Sequence, residues 1–228
     1  MITLLKAEGW YSQFNEVSIR DYKNDPRTEL GACRERVLAR RQVEGKFRGE
    51  EWDEHNREWT AVMGVFLSRL ANSQTPSCIQ EWEWAPASAI RVEAFQQMLH
   101  DTEENIRSYD RWNWAPRGPI DLAWFEEGAV LPSVIIEHEN QSAGIEEELL
   151  KLVQRLIFSD PDSFAVLITY PWEGHEGQGS QDIQTRIATL LSGFPSAVER
   201  FLLVLGGDDW EALRWQGFLW EAEGFRQL

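Results

Sequence analysis

The sequence contains few cysteines and no long apolar run. Cys33 and Cys78 have no CxxC spacing, so the pattern argues against a zinc ribbon or a disulfide framework and predicts two buried thiols. No apolar stretch approaches the roughly 18 residues that a spanning helix needs, which argues against a membrane protein. The short apolar start, Met1 to Lys6, does not resemble a signal peptide, and we expect a cytoplasmic protein.

Basic residues are also scarce, and they are unevenly placed. The 228 residues carry 22 Lys plus Arg against 38 Asp plus Glu, a net charge of -16. Nine of the basic residues lie between positions 17 and 48, which gives that segment a charge of +4 and the remainder -20. Nucleic-acid binding depends on Lys and Arg at phosphates, so this segment is the candidate surface for such a partner. The acidic remainder would instead suit a basic protein partner.

The spacing of apolar residues predicts two regions. Residues 1–87 are predicted to be mostly helical, and residues 88–228 to form an α/β core with a mixed sheet. Helices are expected over 28–43, 50–70, 144–158 and 181–191, with a further one opening at Ser88. Strands are expected over 120–125, 133–139, 164–170 and 201–205, with an edge strand over 213–220.

Two of these strands carry acids at their ends. The strands 120–125 and 133–139 flank the turn Glu126-Glu127-Gly128 and therefore predict a hairpin. Because side chains alternate along a strand, Glu137 and Glu139 share one face and His138 lies on the other. Pairing of the hairpin would bring Asp121 close to Glu137. Clustered carboxylates repel one another unless a cation lies between them, and Mg²⁺ and Mn²⁺ prefer such oxygen ligands.

This pattern resembles the PD-(D/E)XK nuclease superfamily, which has the restriction-endonuclease-like fold. The resemblance rests on Ile120-Asp121, then Glu137-x-Glu139 at the end of an apolar strand, with a helix following, and it covers about residues 88–170. It implies a metal-dependent nuclease acting on DNA, with Mg²⁺ or Mn²⁺ held by Asp121, Glu137 and the main-chain carbonyl of His138. It also implies a homodimer, the usual arrangement for duplex cleavage in this fold.

Two positions depart from the motif of the superfamily. The proline stands at Pro119, one position early, and Glu139 occupies the position of the lysine. Some members carry this E-x-E pattern, in which the second glutamate serves as general base or additional ligand. Others supply a lysine from the following helix, where Lys151 is the candidate. The alternative for Lys151 is an exposed ion pair with Glu147, four residues before it.

The remaining candidate residues leave alternatives open. The basic side chains Arg34, Arg36, Arg40 and Arg41 could contact DNA phosphates or pair with neighbouring glutamates. Glu93, Glu103 and Glu104 are upstream acids that could join the site. A catalytically inactive nuclease fold that binds a basic protein is the main alternative function. A glycosidase with tryptophan platforms is a third hypothesis, which would require two carboxylates facing each other across a groove.

Overall fold

A computed structural model describes residues 6–23, 60, 63–71, 79–84, 120–129, 131–139, 144–157, 159–171, 179–206 and 215–228. The helices are α1 (Ala7–Lys23), α2 (residues 63–71), α3 (Ile145–Ile157) and α4 (Ser180–Leu191). The strands are β1 (Ile79–Trp84), β2 (Ile120–Phe125), β3 (Val134–Glu139), β4 (Phe164–Thr169), β5 (Phe201–Leu205), β6 (Gln216–Glu221) and β7 (Gly224–Gln227).

The strands form one mixed sheet in the order β1-β2-β3-β4-β5-β6-β7. The central strands β3, β4 and β5 are parallel, and the outer pairs on both sides are antiparallel. The connection from β3 to β4 contains α3, and that from β4 to β5 contains α4. This alternation confirms the predicted α/β class. Parallel strands are covered on both faces, and every residue of β4 and β5 is accordingly buried.

Helices α3 and α4 cover one face of the sheet, which we call the helix face. Their apolar residues, spaced three and four apart, pack on alternate residues of β3, β4 and β5. The two helices are joined by an ion pair in which Arg186 Nε and Glu146 Oε1 lie 2.6 Å apart. The central strands contribute Ile135, Ala165, Leu167, Phe201, Leu203 and Leu205 to this face.

Helices α1 and α2 cover the opposite face, which we call the aromatic face. Trp10 and Phe14 of α1 stack with ring centroids 5.1 Å apart, and Phe14 meets Trp215 edge-on at 4.9 Å. At Gly217 of β6 an added Cβ would lie 2.6 Å from the Tyr11 ring, so the close approach of α1 requires glycine at that position. The aromatic face is therefore a layer of large rings between α1 and the sheet.

Most elements of the predicted core are confirmed, with bounds that shift by one or two residues. The hairpin of β2 and β3 is antiparallel as expected, with Leu122 opposite Ile136. The edge-strand prediction is wrong, because β6 lies between β5 and β7. In the N-terminal region, the helix expected over 50–70 agrees with the helical residues 63–71, while β1 is a strand in a region expected to be mostly helical.

The predicted division at residue 87 stays a prediction. Its position, and the helices expected over 28–43 and from Ser88, lie outside the described residues. On the N-terminal side of this position, β1 pairs with β2 and α1 packs on the sheet. Across the described ranges, no helix combines the length and the apolar character needed to cross a membrane.

Candidate functional site

The two faces of β3 carry different polar residues, as its alternation predicts. Glu137 lies on the helix face with Ile135, and only 1% of it is exposed. His138 lies on the aromatic face, where its Nε2 is 2.9 Å from the hydroxyl of Tyr170. Glu137 contacts Lys151 of α3 on the helix face. Glu137 therefore lies in the narrow space between the sheet and α3.

Asp121 lies beside Glu137 at the end of the hairpin. The β2–β3 pairing that joins Leu122 to Ile136 would place Asp121 opposite Glu137 at the next step. The Asp121 side chain instead accepts a hydrogen bond through Oδ2 from the main-chain N–H of His138, at 2.9 Å. This bond fixes the Asp121 carboxylate next to the main chain of β3.

The cation beside Glu137 is supplied by the protein itself. Lys151 Nζ lies 2.9 Å from Glu137 Oε1 and also contacts Glu148, three residues earlier on α3. The lysine side chain is only 14% exposed, so both contacts are largely shielded from water. The sequence predicted that clustered acids would need a cation, and Lys151 provides one positive charge for this purpose. A buried carboxylate with such a partner is far less costly than an isolated one.

Burial and like charges make Glu137 reluctant to ionise. Burial, together with the charges of Asp121 and Glu148, raises the pKa of Glu137 to about 10, and the contact with Lys151 opposes this rise. Burial alone would lower the pKa of Lys151. The adjacent Glu137 and Glu148 have the larger effect, and the pKa of Lys151 is raised. Glu137 therefore holds a proton much more readily than an exposed glutamate, even with the ammonium of Lys151 beside it.

Arg155 and Glu148 belong to the same cluster and were not predicted from the sequence. Arg155 lies one turn after Lys151 and is 5% exposed. Burial lowers the pKa of Arg155, whereas the charge of Glu137 raises it, which places the two groups within electrostatic reach. The positions 148, 151 and 155 follow helical spacing on α3. That spacing could have shown from the sequence that the three residues share one side of α3. It could not show that this side faces Glu137.

Glu139 lies at the end of β3, in a partly buried position close to the start of α3. A Cβ added to Gly144 would lie 3.3 Å from Glu139 Oε2, so a side chain there would crowd the carboxylate. Glu139 is opposite Thr169 of β4. Thr169 is fully buried, and its hydroxyl has no hydrogen-bond partner in the structure as described. Sequence reasoning missed this hydroxyl because the strand reads as uniformly apolar.

The His138 side chain faces away from the acids, as predicted. Burial lowers its pKa to about 3, so the ring is neutral at ordinary pH. Its main-chain N–H points toward Asp121. Because the N–H and C=O of one strand residue point to the same side, the carbonyl of His138 is expected to face Asp121 as well. The main chain of His138, and not its ring, belongs to the acidic site.

The oxygen donors at the end of β3 suit a magnesium-type ion better than a zinc-type ion. Two carboxylates, from Asp121 and Glu137, and the carbonyl of His138 are hard oxygen ligands. Within the described ranges, no group of three His, Cys, Asp or Glu side chains is arranged to hold a metal ion. Mg²⁺ is commonly bound by only one or two carboxylates and completes its shell with water and substrate phosphate. The residues present therefore fit such an ion.

The remaining predicted residues lie where the structure gives no description. They are Arg34, Arg36, Arg40 and Arg41, the candidate phosphate contacts, and Glu93, Glu103 and Glu104, the candidate upstream acids. Their roles stay predictions. Comparison with known proteins gave no relative: no family model, curated protein or solved structure matches this chain.

Proposed function

We propose that this protein is a divalent-metal-dependent nuclease of the PD-(D/E)XK type that cleaves DNA. In this proposal the mixed sheet and α3 form a restriction-endonuclease-like core. Asp121, Glu137 and Glu139 provide the acidic part of the motif. Lys151, from the helix that follows the motif, takes the place of the missing lysine.

One observation carries the proposal: residues from three separate elements meet at the end of β3. Asp121 comes from β2, Glu137 from β3, and Lys151 from α3, with Lys151 Nζ 2.9 Å from Glu137 Oε1. A carboxylate that is 1% exposed and surrounded by other acids is costly to ionise, so packing alone gives no reason to keep it. Perturbed titratable groups that converge in this way are typical of catalytic sites.

Asp121 and Glu137 would hold the metal together with the carbonyl of His138. Bound there, Mg²⁺ or Mn²⁺ would polarise the phosphodiester and lower the pKa of a coordinated water. Asp121 is held by the His138 N–H, which would keep its carboxylate in place when a cation binds. Glu137 would change from a proton-binding group to an ionised ligand, because a nearby positive charge favours its charged form.

Lys151 and Glu139 have the remaining chemical roles. The ammonium of Lys151 would stabilise the negative charge that develops on the phosphate. Glu139 would act as general base toward the attacking water, or as an additional oxygen ligand. Lys151 is largely shielded from water, and a charge in such an environment interacts more strongly than one in bulk solvent.

DNA is favoured as the substrate by the local charge of the N-terminal segment. Residues 17–48 carry a net charge of +4 in a chain of -16, and they include Arg34, Arg36, Arg40 and Arg41. A basic segment in an acidic protein would direct the polyanion to one surface and repel it elsewhere. We therefore expect binding to weaken steeply as salt is raised.

The first test is calorimetric titration of Mg²⁺ and Mn²⁺ into wild type, Glu137→Gln and Glu147→Gln. Glu147 is an exposed glutamate on the same helix and provides the matched control. Wild type and Glu147→Gln should bind the ions and nick supercoiled plasmid, whereas Glu137→Gln should lose both properties. Chelation should abolish cleavage. Absence of metal binding by the wild-type protein would refute the proposal.

A second candidate is a catalytically inactive protein that uses this fold to bind a basic partner. The observation that favours it is the contact of Glu137 with Lys151, which already supplies a positive charge without any metal. The net charge of -20 outside residues 17–48 would attract basic proteins. The same titration separates the two functions, because this candidate predicts no metal binding and no cleavage by wild type.

A further inference from the structure

Lys151 is shared between two carboxylates that belong to different parts of the fold. Glu137 is on β3, and its Oε1 lies 2.9 Å from Lys151 Nζ. Glu148 is on α3, three residues before Lys151, and also contacts Nζ. The contact with Glu148 lies within one helix, so it does not depend on the distance between α3 and the sheet.

Glu148 is more than a surface charge. Its side chain is 19% exposed, and its Oε2, the atom that contacts Lys151, is buried. Its charge reaches Glu137 and makes ionisation of that residue less favourable. A single glutamate would be enough to neutralise Lys151, so a second one adds repulsion inside the cluster. The position of Glu148 therefore requires a reason other than neutralisation of Lys151.

Occupation of Glu137 by a metal would weaken its contact with Lys151. A divalent ion and an ammonium group repel each other when both lie against the same carboxylate. The lysine has a flexible four-carbon stem, so an ammonium whose contacts are weakened can move away from the site. The contact with Glu148 persists, because both groups are on α3.

We propose that Glu148 is a positioning residue that keeps the ammonium of Lys151 at the site when a cation occupies Glu137. The proposal rests on the proposed nuclease function, which supplies that cation. Glu148 touches neither the metal nor the phosphate. It acts through Lys151, by keeping its charge directed at the position of the reacting phosphate.

The test uses the small number of lysines in the chain. There are four lysines, so a protein labelled with ¹³C at lysine Cε gives four ε-methylene signals, and Lys151→Met identifies that of Lys151. Relaxation measurements then report how mobile each side chain is. Exposed Lys6 provides the mobile reference within the same molecule. The variants are Glu137→Gln, Glu148→Gln, the double variant, and Glu147→Gln as the matched control.

We expect Lys151 to stay ordered in Glu137→Gln, where the amide removes the negative charge that Glu137 presents to the lysine. It should become clearly more mobile than in wild type in the double variant and stay ordered in Glu147→Gln. A Lys151 that becomes mobile in Glu137→Gln alone overturns the proposal, and so does one that stays ordered in the double variant. These measurements need no metal, so they test the contact between Glu148 and Lys151 separately from metal binding and cleavage.

Steady-state cleavage of plasmid DNA in Mg²⁺ provides the second measurement. Glu148→Gln should lower kcat by roughly ten-fold or more with KM nearly unchanged, because the lysine would be misplaced only after the metal binds. Glu147→Gln should change kcat less than two-fold, about 0.4 kcal/mol or less. A Glu148→Gln protein with the kcat of wild type overturns the proposal. Absence of cleavage by wild type counts against the nuclease function alone.

Discussion

The two faces of β3 bury two different polar pairs at adjacent residues, one that includes a charged group and one that is neutral. On the helix face, Glu137 pairs with the charged Lys151. On the aromatic face, His138 pairs with the neutral hydroxyl of Tyr170. Burial acts on both in the same way, since it disfavours the charged form of each group and thus moves their pKa values in opposite directions. On the helix face, the cation that α3 supplies through Lys151 offsets part of this effect on Glu137.

Removal of the Lys151 ammonium should have the largest effect on the free energy of unfolding. Lys151→Met leaves Glu137 and Glu148 without the ammonium, and loss of one partner of a buried pair typically costs about 3 kcal/mol. We expect that loss of unfolding free energy at pH 8, measured by urea denaturation. The loss should be similar at pH 5, because the pKa of Glu137, about 10, keeps this carboxyl protonated at both pH values. Lys6→Met, at an exposed lysine, should change little, and a loss that disappears at pH 5 would contradict this interpretation.

Crowding of the aromatic face should have the second largest effect on the free energy of unfolding. A Cβ added to Gly206 would lie 2.3 Å from the Tyr170 ring, so Gly206→Ala must displace that ring from beneath His138. Overpacking of this kind costs about 2 kcal/mol. Metal binding at the helix face should be unchanged in calorimetry. Gly179→Ala, where the added Cβ would meet only Asp182 at 3.5 Å, should cost less than about 1 kcal/mol.

Neutralisation of Glu137 should stabilise the protein in a pH-dependent way. Its pKa in the fold, about 10, is far above the ordinary value of 4.5, so the unfolded chain ionises first and stability falls as pH rises between these values. Glutamine does not ionise, and Lys151 keeps Glu148 as a partner. Glu137→Gln should therefore gain about 1 kcal/mol at pH 8 and nothing at pH 4. Glu147→Gln should show neither change, and a loss in Glu137→Gln at pH 8 would contradict the expectation.

The smallest effect should come from the hydroxyl of Tyr170. Tyr170→Phe removes one hydrogen bond to His138 and should cost about 1 kcal/mol in denaturant unfolding. His138, with its pKa lowered to about 3, resists protonation that the unfolded chain accepts near pH 6.5. Its contribution to stability therefore falls as pH decreases below that value, opposite to that of Glu137. A His138 ring signal that titrates between pH 5 and 8 would contradict the burial of this pair.

The core elements were predictable where the chain has long apolar runs. Strands β4 and β5 are buried throughout, and α3 has an apolar stripe bounded by acids, so each was predicted to within two residues. Strand β7, Gly224–Gln227, has a single apolar side chain and gave no signal, which is why β6 was taken for an edge. Strand β1 alternates acids with tryptophans, and it lies in the region that was predicted to be mostly helical.

The candidate site was predictable only in part, because half of it depends on tertiary contacts. The alternation of β3 predicted correctly that Glu137 and His138 face opposite ways. Lys151 was identified by its place in the helix after the motif, with Glu147 as an alternative partner. Its contacts with Glu137 and Glu148 depend on how α3 lies on the sheet, which spacing along the chain does not determine. The same holds for the burial of Arg155.

The hydrogen bond from the Tyr11 hydroxyl to the Trp215 carbonyl has a consequence for the order of folding. These groups are 204 positions apart in the chain, whereas the helix face is built from consecutive elements between residues 134 and 205. Closing a longer loop costs more chain entropy, and distant contacts form more slowly than local ones. We expect β3, α3, β4, α4 and β5 to assemble first and α1 to dock last. The lysine and its carboxylates would then be in place before the aromatic rings close over the opposite side.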